Sequence, residues 1–285
     1  MSLTPEIDER RLRRVRRRRR RKERRRRAAA LLPQLLTTGN LAAGFYSITL
    51  SFKGDIDRAA LAIVFAGLFD ALDGRVARLT RSTSRFGMEY DSIADTVSFG
   101  VAPAILAYSA GALQELGWTG WVLAFLYTAC AALRLARFNV TPGRYAGRFD
   151  GLASPAAAGM VLSAVWFVAF LRESGFAFQI PAPLAGIGIA AVGLLMVSPI
   201  PYRSFKNLQL HGSFGTLVLA VLAGVVLLTK PAVTFFLVGA AYVASGPIEA
   251  LWRWRTGRAL PANPGAEPPP GVGAGTVDPH GGVSH

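Results

Sequence analysis

Eight apolar runs recur along the chain, at 31–52, 59–76, 93–113, 118–136, 154–171, 180–197, 214–229 and 232–252, with short polar breaks between them. A helix needs about 20 predominantly apolar residues to cross a bilayer, and each run is of that order. Several are rich in small residues, as in Ala129-Cys130-Ala131-Ala132 and Ala156-Ala157-Ala158-Gly159. Small residues let transmembrane helices approach closely. The pattern predicts an all-α polytopic membrane protein, a compact bundle of about eight transmembrane helices. The least secure division lies between the seventh and eighth runs, where only Lys230-Pro231 intervenes.

Composition supports the membrane reading, with 52% of residues hydrophobic and 17% charged. A soluble chain carries more charge than this. With the N-terminus placed inside, thirteen Lys and Arg fall in inside loops, and only Lys53, Arg58, Arg172 and Lys230 fall outside. That excess predicts an even number of spans, both termini cytoplasmic, in a multi-pass protein of the cell membrane. Fifteen of the 32 Lys and Arg lie between Arg10 and Arg27. The block has no apolar face and no interleaved aromatic residues to stack on bases. Residues 1–30 are therefore expected to be a solvated tail that meets anionic membrane lipids, with no nucleic acid as partner. Residues 31–258 form the expected transmembrane domain. From 259 to 285 the chain is Pro/Gly-rich, and a disordered tail is expected. The single cysteine, Cys130, excludes an intrachain disulfide, and His211, His280 and His285 are too scattered for a zinc site.

One stretch breaks the apolar pattern. Asp70 and Asp73 fall near the end of the second run, and Asp91 and Asp95 at the start of the third. A carboxylate at mid-helix costs roughly 2.5–3.5 kcal/mol on insertion scales, so four call for compensation. Salt bridges to Arg75, Arg78, Arg81 and Arg85 are one form of it. Spacing favours another. Asp70 and Asp73 are three residues apart and Asp91 and Asp95 four, so each pair shares a helical face. Two antiparallel neighbours carrying two carboxylates each would make a cage of hard oxygen ligands, suited to Mg²⁺ or Mn²⁺. Gly74 removes a side chain where a ligand could approach, and Arg78 offers a planar cation for phosphate oxygens. Together these point to phosphoryl transfer on a nucleotide-linked substrate.

The run Asp70-x2-Asp73-Gly74-x2-Ala77-Arg78-x8-Gly87-x3-Asp91-x3-Asp95 resembles the CDP-alcohol phosphatidyltransferase signature at every position. Flanking pieces are most similar to the serine-accepting bacterial branch, the CDP-diacylglycerol–serine O-phosphatidyltransferases. These pieces are Leu32-Pro33, Thr37-x2-Asn40-Leu41, Ser84-Arg85-Phe86-Gly87, the run from Asp95 to Pro103, the run from Leu133 to Asn139, and Ser204-Phe205-Lys206. Ser92 and Thr96 stand where glycerophosphate-accepting relatives usually have Pro and Lys, and Gln34 stands where Asn is expected.

The resemblance implies attack of the L-serine hydroxyl on the β-phosphorus of CDP-diacylglycerol, with release of CMP. It implies divalent metals, two in number, on Asp70, Asp73 and Asp91, with Asp95 joining a second metal or acting as base. Gly74, Arg78, Ser84, Gly87, Gln34 and Thr37 would meet CDP-diacylglycerol. Arg134 and Arg137 are candidates for the serine carboxylate, with Asn139 as a hydrogen-bonding neighbour. Snorkelling at the membrane face is their alternative role. A homodimer is expected from the resemblance and the small-residue faces. Competing readings are another acceptor, such as glycerol-3-phosphate or inositol phosphate, and a transporter with intramembrane carboxylates. The latter predicts midplane acids and repeated halves, and neither is present.

Overall fold

The computed structural model describes residues 31–80, 84–140, 148–175, 180–203 and 231–257. The arginine block, the seventh apolar run, the whole C-terminal tail, Arg81 and Arg144 lie outside the described residues. Helix α1 covers 31–52 and α2 covers Ile56–Thr80. Helix α3 (Arg85–Asp95) passes through a π-helical segment, Thr96–Val101, into α4 (Ala102–Ser109). A 3₁₀ turn at Gln114–Leu116 leads to α5 (Trp118–Val140). Then follow β1 (Arg148–Asp150), α6 (Ser154–Glu173), α7 (Ala182–Val197), β2 (Pro201–Arg203) and α8 (Pro231–Thr256).

Seven of the apolar runs thus coincide with helical segments. Helices α5, α6 and α8 are long and apolar enough to cross a membrane, and α7 is a shorter apolar helix. The chain is mostly helical, as an all-α membrane protein should be. Two three-residue strands accompany the helices. Strands β1 and β2 form an antiparallel ribbon in which Arg148 faces Arg203, Phe149 faces Tyr202 and Asp150 faces Pro201. Three-residue strands carry too few positions for a readable alternation, and these two are brought together by the helices between them.

Packing explains the small-residue runs. One core, centred on Leu50, Ile63, Phe99, Leu106 and Leu162, is filled out by Ala59, Ala60, Ala62, Ala66, Ala102 and Ala158. It joins α1, α2, α4 and α6. A second, around Tyr127, Leu152, Met196 and Tyr202, seats α5 against α7. Large apolar side chains such as Phe52, Phe65, Phe125 and Ile187 point outward instead. That distribution suits a protein whose surroundings are apolar: alanine lets helices close up, and bulk faces the hydrocarbon.

Candidate active site

The acidic pairs end on neighbouring helices. Asp70, Asp91 and Asp95 each place a carboxylate oxygen within 4.8 Å of the other two. Asp73 takes a different direction. Three residues along an α-helix stop about 60° short of a full turn, an offset that aims its Oδ2 at α1, where the Thr37 hydroxyl donates to it at 2.9 Å. The expected two facing pairs are therefore a triad with one flanking carboxylate.

Among the described residues, Asp73, Asp91 and Asp95 make no ion pair with an arginine. The Oδ1 of Asp91 is buried and has no hydrogen-bond partner. Burial, with Asp73 and Asp70 nearby, pushes the Asp91 carboxyl up to about 7. Clustered like charges disfavour their own ionisation until a cation arrives. A set of oxygen donors with an orphaned carboxylate oxygen fits a hard divalent ion such as Mg²⁺ or Mn²⁺.

Asp95 is positioned from α1. The Asn40 side-chain amide, fully buried, donates to Asp95 Oδ1 at 2.9 Å, and the Ser98 hydroxyl donates to the Asn40 backbone carbonyl at 3.0 Å. The π-helical segment begins at the next residue, Thr96. Its altered register is matched by side-chain donors from α5: the Tyr127 hydroxyl reaches the Phe99 carbonyl at 3.1 Å and Thr128 the Gly100 carbonyl at 3.4 Å. Single π turns inside α-helices are frequent at functional sites. Here the turn sits between the carboxylate helix and the core. Asn40 stands in the sequence as part of the Thr37-x2-Asn40-Leu41 piece, and a polar amide in an apolar run is a second signal for it.

Beside the carboxylates lies a cavity of about 240 Å³. Gln34 and Thr37 line it from α1, Asp73, Gly74 and Arg78 from α2, and Ser84, Gly87 and Asp91 from the start of α3. All six residues assigned above to CDP-diacylglycerol therefore wall one space. Ser84 also caps α3, its Oγ accepting from the Gly87 N–H at 3.0 Å. A hydrogen bond of 2.9 Å between Thr38 and Tyr90 ties α1 to α3.

The three residues assigned to serine separate. Arg134 is buried, donates through Nη1 to Ser154 Oγ at 3.1 Å, and keeps a buried Nε without partner. It lies within electrostatic reach of Asp95 and Tyr242. The Arg137 guanidinium instead donates to the backbone carbonyls of Asp150 (2.8 Å), Val197 (3.0 Å) and Ser198 (3.5 Å). Asn139 is exposed and donates to Ser92 Oγ at 2.8 Å, next to Asp91.

Comparison with known proteins follows the same lines. A CDP-diacylglycerol–serine O-phosphatidyltransferase of Mycobacterium leprae is 32% identical over 198 residues, covering 67% of this chain and 64% of that protein. The chain thus spans just under two thirds of this relative's length. The protein of the same description from Helicobacter pylori is 35% identical over 210 residues, 72% of this chain and 85% of its own. An archaetidylserine synthase of Methanothermobacter thermautotrophicus is 39% identical over 173 residues, 60% of this chain and 69% of its own. Residues 30–198 match the family model described as CDP-alcohol phosphatidyltransferase. That segment exceeds half of the chain and contains every carboxylate and every wall of the cavity, so the chain belongs to the CDP-alcohol phosphatidyltransferase family.

Proposed function

We propose that this protein transfers the phosphatidyl group of CDP-diacylglycerol to the hydroxyl of L-serine, releasing CMP and forming phosphatidylserine. The serine acceptor is supported by relatives whose descriptions name serine transfer. The observation that carries the reaction is the junction of cavity and carboxylates: Asp91 belongs both to the cavity wall and to the triad. A nucleotide diphosphate in the cavity would present its phosphates beside the acidic cluster.

In this reading Arg78 binds phosphate oxygens with its planar fork, while Gly74 and Gly87 leave the wall bare for the nucleotide. The serine hydroxyl forms a bond to the β-phosphorus, the bond from that phosphorus to the CMP oxygen breaks, and the hydroxyl proton passes to Asp95. Asn40 occupies Asp95 Oδ1, so the second carboxylate oxygen is the one offered for that proton. Divalent ions, held by Asp70, Asp91 and Asp95 with Asp73 beside them, would supply charge neutralisation on the pyrophosphate and on the departing CMP. Arg134 meets the serine carboxylate with its unpartnered side. Arg137, held by backbone carbonyls, serves the site by fixing the end of α5. A phosphorylated acceptor calls for a denser set of cations, and the capture of Arg137 argues for the smaller, singly charged serine carboxylate.

The membrane arrangement proposed with this function has eight spans, both termini in the cytoplasm and the carboxylates at the cytoplasmic face of the cell membrane. The N-terminal arginine block binds anionic lipid, and the unit is a homodimer. The test of the function supplies purified protein with CDP-diacylglycerol and Mg²⁺ or Mn²⁺, then compares L-serine, glycerol-3-phosphate and inositol phosphate by CMP release. Serine-dependent release supports the reading; release only with a phosphorylated acceptor overturns it.

A further inference from the structure

The matched family segment ends at residue 198, yet the acceptor side of the site is braced by chain beyond it. Arg137, three residues after Arg134, is anchored in part on the carbonyl of Asp150 in β1. That carbonyl is only as well placed as the ribbon, and a ribbon of three-residue strands is too short to be stable alone. Its brace is α8. Glu249 Oε1 accepts from Arg148 Nη2 at 2.9 Å, and its Oε2 pairs with Arg203 Nε at 3.4 Å. These two arginines face one another across the ribbon, so one carboxylate holds both strands and offsets a like-charge pair that would otherwise push them apart. Between them, the Tyr202 hydroxyl donates to the Val243 carbonyl of α8 at 2.9 Å. Gly246 lets α8 lie so close that a Cβ there would stand 2.3 Å from the Tyr202 ring. The Tyr242 hydroxyl reaches the Arg203 carbonyl at 3.4 Å.

We infer that Glu249 is a positioning residue for the acceptor site: by holding the ribbon against α8 it sets where β1 presents its carbonyl to Arg137, and so where the last turns of α5 aim Arg134. The inference rests on the reading of Arg134 as the cation for the serine carboxylate. Glu249 acts on the acceptor half alone, because the nucleotide cavity is built from α1, α2 and the start of α3 and shares no residue with the ribbon.

The test is steady-state kinetics on the full chain with Glu249→Gln, varying serine and CDP-diacylglycerol in turn. The expected result is a roughly tenfold rise in KM for serine with KM for CDP-diacylglycerol within about twofold of wild type. Arg203→Gln, at the exposed end of the pair, gives a smaller rise in the same direction and decides the matter if Glu249→Gln does not fold. Arg253→Gln leaves the serine KM unchanged, since Arg253 engages Glu249 from within α8 and, among the described residues, makes no hydrogen bond or ion pair with either strand. Proportional rises for both substrates, a wild-type serine KM in folded Glu249→Gln, or an Arg253→Gln effect as large as that of Arg203→Gln would each overturn the inference. Arg134→Ala separates the two levels. If it raises the serine KM and Glu249→Gln does not, only the positioning role fails; if it leaves the serine KM unchanged, the acceptor reading itself fails.

Discussion

Gly44 of α1 lies directly against Ser98 of the π-helical segment, and its replacement by alanine has a calculable consequence. The new Cβ would lie 2.2 Å from Ser98 Oγ and 2.7 Å from Ser98 Cα. Rotating the serine side chain relieves the first clash but not the second, which is with backbone. Carbon atoms rest at roughly 3.5–4.0 Å, so α1 has to withdraw by about 1 Å, and overpacking of this kind costs about 1–3 kcal/mol. Asn40 sits one turn earlier on α1, and withdrawal stretches its 2.9 Å bond to Asp95 beyond about 3.6 Å, where it no longer counts as a hydrogen bond. A hydrogen bond to a charged group contributes about 1.5–3 kcal/mol, which corresponds to a loss of about 10- to 100-fold in turnover if the orientation of Asp95 matters in the transition state. CMP release at saturating serine measures turnover, and thermal unfolding in detergent measures the packing cost. Asn40→Ala should lose a similar factor, and the two losses should not multiply in the double variant, because both act on one bond. Wild-type turnover in Gly44→Ala, or fully multiplicative losses, would refute the reasoning.

Three further outcomes are expected. Asp95→Asn abolishes turnover while CDP-diacylglycerol still binds, as read by binding of labelled substrate; a folded variant with wild-type turnover would remove Asp95 as proton acceptor. Arg134→Ala and Arg137→Ala behave differently: the first raises the serine KM in a folded protein, and the second lowers the unfolding temperature because three carbonyls lose their donor. Equal kinetic effects with no loss of stability in Arg137→Ala would contradict this. Divalent-ion binding is pH-dependent. The Asp91 carboxyl, raised to about 7 by burial and its acidic neighbours, is protonated below that value, and a bound proton competes with the cation. Mn²⁺ affinity measured by paramagnetic titration should therefore fall as pH drops from 8 to 6, and a flat profile would exclude Asp91 as a ligand.

Much of the nucleotide half of the site was legible before any fold was known. Apart from Gln34 and Thr37 on α1, its residues lie in two neighbouring segments of one short stretch, and helical spacing alone puts Asp70 beside the turn of Gly74 and Arg78. The acceptor half was legible only as a list of candidates. Arg134 and Arg137 look alike in sequence, two cations three residues apart at the end of an apolar run. Their roles diverge because the end of α7 and strand β1 bring three backbone carbonyls to Arg137 and none to the Nε of Arg134.

The sequence by itself determined the membrane character, the position of the helices among the described residues and the convergence of acidic residues on one pair of helix ends. These follow from local quantities: hydropathy over about 20 residues, and the 3.6-residue period. Only the tertiary structure decided that Asp73 turns to Thr37 while the other three carboxylates cluster, that Asn40 orients Asp95, and that Glu249 closes a ribbon the apolar pattern does not announce. Each of these depends on partners tens of residues apart, such as Asn40 and Asp95 or Arg148 and Glu249. No local period encodes such pairs; they are set by how closely alanine and glycine allow the helices to pack.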